Sequence, residues 1–159
     1  MADTKNVLDP ETAAEHKAMF DFDITLIQQS PYGSTPHGKE IVALLTAFNK
    51  EQRIRYEPLE ERGAWDGTDI LVSDNYIGKV FPTTCELAHE GAHALWRKKN
   101  PTKKMTQLEV DAEEKAAQTV QAKVYLWLRA KKGAPVDSDI EGRLAGLGLS
   151  SPEAGKKKR

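Results

Sequence analysis

From Phe81 to Trp96 the apolar residues Phe81, Cys85, Ala88, Ala92, Leu95 and Trp96 recur every three or four positions, the spacing of a helix that buries one stripe. His89-Glu90-Gly91-Ala92-His93 lies inside that stretch. Two imidazoles four residues apart on a helix sit one turn apart on one face, so their ring nitrogens can converge on a single metal ion. On the same wheel both border the stripe, roughly 60° to 100° from its centre, where core meets cleft. Glu90 points to the neighbouring face, where a carboxylate could take a proton from an activated water and later hand it to a leaving amine. Pro82, Thr83 and Thr84 read as the helix start, with Glu86 in the first turn where a carboxylate suits the helix dipole. The plain alternative is a pair of ordinary half-buried histidines, so the pattern needs a third ligand.

A second helix is predicted from about Thr106 to about Lys131, after Arg97-Lys98-Lys99-Asn100-Pro101 ends the first with cations and a proline. Its apolar stripe comprises Ala116, Val120, Val124 and Trp127, with Ala117 and Leu128 toward one edge. Projected backward, the wheel puts Glu109 and Glu113 within roughly 40° of the stripe's centre and leaves Asp111 and Glu114 on the polar side. Carboxylates facing a core must be neutralised, paired or metal-bound. A metal held by His89 and His93 would answer that need; a solvated first turn is the alternative.

These residues resemble the gluzincin group of zinc metallopeptidases, the thermolysin-like enzymes, in which H-E-x-x-H lies on one helix and a glutamate on a following helix completes the site. Glu109-Val110-Asp111-Ala112-Glu113 is similar to the E-x-x-x-D/E arrangement of that group. The resemblance implies zinc as cofactor, held by His89, His93 and Glu109, with Glu90 as general base and Glu113 orienting a ligand imidazole. Glu113 also lies at a spacing after His93 that suits a ligand, and stands as the alternative. The likeness spans about Asp69 to Trp127, and nothing matches the metzincin pattern with its third histidine.

Ahead of the metal helix the chain reads as a small sheet framework. Phe20 to Gln28 alternates well enough for a strand, His37 to Lys50 carries Ile41, Leu44, Leu45 and Phe48 at helical spacing, and Ile54-Arg55-Tyr56 is a short second strand. Ile70-Leu71-Val72-Ser73 is a third strand, preceded by a loop at Gly63-Ala64-Trp65-Asp66-Gly67. The expected fold class is α+β: a mixed sheet of about three strands packed on the H-E-x-x-H helix, followed by the long second helix. By the gluzincin resemblance, Ile70, Leu71, Val72 and Ser73 would pair with the substrate backbone as an added strand. Related enzymes add a tyrosine or histidine donor for the developing oxyanion; Tyr76 is the candidate, with Tyr56, Tyr32 and His37 open as alternatives, and Trp65 could line a specificity pocket.

The chain has 159 residues, 39% hydrophobic and 30% charged, which fits one globular domain with a real core. It divides into a polar or helical extension over residues 1–20, a metallopeptidase domain over 21–148 and a disordered basic tail over 149–159. A net charge of −1 gives no global nucleic-acid footprint. The single cysteine, Cys85, excludes an internal disulfide and reads as a small core residue, although it sits one turn before His89. No signal-peptide or membrane-length apolar run is visible, so the expected location is cytoplasmic, or outside by a signal-independent route. The expected activity is metalloendopeptidase cleavage of a peptide or protein, in a toxin, effector, phage protein or regulatory protease. Two other classes remain open: a non-catalytic interaction module with a structural metal, and a binder of nucleic acid or an acidic partner through Arg97 to Lys104 and Lys156 to Arg159. The intact Glu90 argues against the first.

Overall fold

The computed structural model describes residues 8–101 and 104–150. Among them five α-helices and three short strands form an α+β domain: α1 (Pro10–Gln29), α2 (Pro36–Lys50), β1 (Ile54–Glu57), β2 (Gly63–Trp65), β3 (Ile70–Ser73), α3 (Val80–Lys99), α4 (Gln107–Trp127) and α5 (Ser138–Arg143). The sheet order is β1-β3-β2, with β1 and β3 parallel and β2 and β3 antiparallel. Helix α3 is the hub: α1, α2 and α4 pack around it, and β2 and β3 lie across it.

The segment read as a first strand is helical. Asp9 caps α1 by accepting from the Thr12 amide at 2.9 Å, and Pro10 occupies the first turn, where its missing N–H costs nothing. The inward residues Phe20, Ile24 and Ile27 are spaced four and three apart, whereas Phe22, a member of the alternating pattern, is 56% exposed. Helix α1 therefore runs straight across the boundary expected at residues 20 and 21 and belongs to the same packed body. The expected basic tail falls, from Ser151 on, outside the described residues.

Helix α2 and strands β1 and β3 form where their patterns indicate, with Ile54, Tyr56, Ile70 and Val72 buried. β3 is the central strand, with Leu71 opposite Arg55 on one side and Ala64 on the other. This corrects the substrate-edge role expected of Ile70, Leu71, Val72 and Ser73: both edges of β3 are already hydrogen-bonded within the sheet. The edge nearest α3 belongs to β2, the stretch read as a loop. A Cβ on Gly63 would come within 3.1 Å of Glu86 Oε1 and 3.4 Å of Glu90 Cγ, so a larger residue would press these two acids aside where the strand crosses α3. On the other side of α3, a Cβ on Gly91 would meet Ile41 and Leu45 at 3.1 Å, which is how tightly α2 backs the motif.

Asp23 is an acid among these apolar contacts, 2% exposed, and burial pushes its carboxyl up to about 8 against a smaller opposing effect of Thr84. The unfolded chain gives up this proton near the ordinary value of 3.8 while the fold retains it, so Asp23 lowers stability progressively as pH rises from about 4 to about 8. Asp23→Asn should therefore raise the melting temperature by roughly 5 °C or more at pH 8 and leave it unchanged or slightly lower at pH 4. Equal shifts at both pH values, read by calorimetry, would contradict this account.

Candidate metal centre

Helix α3 presents His89 and Glu90 from its buried middle and His93 one turn later at the margin. The two imidazole Nε2 atoms are 3.2 Å apart. Across from them, α4 brings Glu114, whose carboxylate straddles the pair with Oε1 at 2.8 Å from His93 Nε2 and Oε2 at 3.5 Å from His89 Nε2. One ligand atom from each of His89, His93 and Glu114 falls within 4.8 Å of the others, a group that could hold a metal ion. Two imidazole nitrogens and one carboxylate oxygen are a donor set suited to a divalent first-row metal.

The far nitrogen of each ring is tethered. His89 Nδ1–H donates to Gln121 Oε1 at 3.0 Å, and Gln121 Nε2 donates at 2.7 Å to the buried Glu86 carboxylate. Arg62 lies 3.4 Å from that carboxylate through Nε and donates to Asp137 at 3.0 Å. A carboxylate can only accept, so the Gln121 amide must turn its oxygen toward His89, and that oxygen demands a proton on Nδ1. The lone pair of the neutral ring is thereby left on Nε2, facing Glu114. On His93, Nδ1–H donates to Glu113, with the same result. Gln118 completes the frame by donating to Glu114 Oε2 at 3.0 Å.

The electrostatics follow from this crowding. Burial lowers the His93 imidazolium, but Glu114 and Glu113 outweigh it and bring the group up to about 9. His89 is raised in the same way, burial being overcome by Glu114 and Glu90. Hydrogen bonds to both histidines hold Glu114 well below the usual carboxylate range. Glu90 takes no part in the cluster, its Oε2 being 3.9 Å from His89 Nε2; burial lifts its carboxyl to about 7 against the pull of both histidines. It opens into a cleft of about 390 Å3 with Trp65, Gly67, His93, Arg97 and Glu113. Trp65 comes from the edge strand β2, and its indole N–H is buried without a hydrogen-bond partner among the described residues.

Of the residues expected from sequence, His89, Glu90, His93 and Glu113 meet here. Glu109 does not join them: it is the N3 residue of a capping box, accepting at 3.0 Å from the Thr106 amide while its own amide donates to the Thr106 hydroxyl. Glu114 stands in its place, because the inward stripe of α4 runs through Ala117, Gln121, Val124 and Leu128, while Ala116 is exposed. Gln121 is the member of that stripe that an apolar pattern omits. The oxyanion-donor candidates are engaged elsewhere: Tyr76 lies under the Arg62 guanidinium, Tyr56 hydrogen-bonds Thr83 in the core, and Tyr32 pairs with His37. Cys85 is 2% exposed in the core, its thiol raised by burial and outside the ligand group.

Gln121→Leu would free the His89 ring and strand Glu86 beside Arg62. The expected loss of zinc affinity is about 10- to 100-fold, measured by competition with a chromophoric chelator. An affinity within twofold of the parent would show that the tether does not matter. Compared with protein-family models, curated protein sequences and solved structures, the chain matches none.

Proposed function

We propose that this chain is a zinc-dependent peptide hydrolase, with the metal on His89, His93 and Glu114 and with Glu90 as general base. The observation that carries the reading is one arrangement: two inward-facing Nε2 atoms and a carboxylate, beside a buried glutamate that is not itself a ligand, on a cleft walled by an edge strand. Three protein ligands with a position left open is the pattern of a catalytic rather than a structural zinc site. When bound, zinc would supply Lewis-acid polarisation of a scissile carbonyl and a lowered pKa for water.

The protein's own residues do the rest. Glu90, with its carboxyl near 7, accepts a proton at its carboxylate and passes it to the departing amine. Gln121 and Glu113 keep the two rings in the tautomer whose Nε2 atoms can ligate. The outer edge of β2, not paired to a strand among the described residues, offers backbone groups to an extended peptide, and the Trp65 side chain walls the cleft beside it. A purely structural site would leave Glu90 buried for no purpose. The reading is tested by loading the full chain with one equivalent of zinc and following cleavage of unfolded casein by mass spectrometry. Zinc bound with new peptide termini supports it; failure to bind zinc overturns it.

A further inference from the structure

Between α1, β1 and the start of α3 lies a cavity of about 300 Å3 that shares no lining residue with the cleft beside the histidines. Its walls are Ala18, Met19 and Phe22 from α1, the Tyr56 ring from β1 and Val80 from α3. Phe22 and Val80 are 56% and 36% exposed, so the apolar surface continues outward at its mouth. Asp23 lines it from within. This residue is 2% exposed, and its Oδ1 atom has no hydrogen-bond partner among the described residues. Of the neighbouring hydroxyls, Tyr56 bonds Thr83 at 3.0 Å, while Thr84, which bonds the Val80 carbonyl at 2.8 Å, also eases the burial of Asp23 without partnering Oδ1. Lys79 stands at the rim, exposed and without an ion pair among the described residues.

We propose that this cavity is a second binding site, for a small primary amine with an apolar body. The ammonium would sit on Asp23 Oδ1 and the hydrocarbon against Met19, Phe22 and Tyr56. Three ligand chemistries are distinguished by the one unsatisfied oxygen. An anion finds no opposite charge inside the cavity, only a second buried acid that it would keep protonated. A wholly apolar ligand leaves the carboxyl unpaired in an even drier setting. An ammonium supplies both the donor and the opposite charge, the stronger class of hydrogen bond. The burial that raises the Asp23 carboxyl when the cavity is empty is the same desolvation that strengthens such a pair once formed.

The test is calorimetric titration of the full chain with hexylamine, hexanol and hexanoate, in the parent protein, Asp23→Asn and Met19→Trp. Hexylamine should bind one per chain, at least about tenfold tighter than hexanol, and hexanoate should not bind. Asp23→Asn keeps the side chain's shape and should erase the preference for amine over alcohol. Met19→Trp fills the cavity and should abolish binding of both. Equal affinity for amine and alcohol in the parent, amine binding unchanged by both substitutions, or no binding of hexylamine at millimolar concentration would each overturn the proposal.

Discussion

Glu90→Gln should retain one equivalent of zinc and lose peptide hydrolysis by about 10²- to 10⁴-fold in kcat. The substitution keeps the side chain's size, which matters because Glu90 is 6% exposed and packed beneath Gly63 of β2. It removes only the ability to accept a proton. Metal should stay because the proposed ligand group is His89, His93 and Glu114, with Glu90 outside it. Zinc content by atomic absorption and single-turnover cleavage therefore separate base from ligand. Turnover within tenfold of the parent would remove Glu90 from the mechanism, and loss of zinc together with turnover would make it a ligand.

The second large effect distinguishes neighbouring acids on α4. Glu114→Ala should weaken zinc by about 10³-fold or more, since a ligand is lost, whereas Glu113→Ala should cost the roughly 10- to 100-fold expected when an outer partner of a ligand histidine is removed. Glu109→Ala should leave zinc affinity unchanged and instead lower thermal stability by about 1 kcal/mol through loss of the capping box with Thr106. The ordering matters more than the individual values. If Glu109→Ala released zinc as Glu114→Ala does, the ligand group drawn from the geometry would be wrong.

Helix α3 was legible because its period and its two histidines agree, and α2, β1 and β3 because each has a clean apolar pattern with turn residues at its ends. Helix α1 was not, because over nine residues Phe20, Phe22, Ile24, Leu26 and Ile27 satisfy a two-residue and a helical period together; the Asp9-Pro10 start that decides between them lies a full ten residues upstream. Strand β2 has no pattern to read. Gly63 is there for its closeness to Glu86 and Glu90, a contact between residues more than twenty positions apart. The candidate third ligand is where the sequence pattern and the geometry part: Glu109 and Glu114, five residues apart, differ by about 140° on the wheel. Counting the exposed Ala116 as core and omitting the buried Gln121 displaces the centre of the α4 stripe toward Glu109 and away from Glu114, with Glu113 inward either way.

His89, His93 and Glu114 belong to two consecutive helices and span only 26 residues of chain. Such a helical hairpin has low contact order, so its two halves can meet early and fast during folding. The contacts around the cluster close loops of similar length, Arg62 to Glu86 and Gly63 to Glu90, and only the bond from Gln121 to Glu86 reaches further along the chain. Closure cost grows slowly with loop length, so the cluster and its surroundings would order together, and a refolding chain would gain its metal site and its cleft in one step.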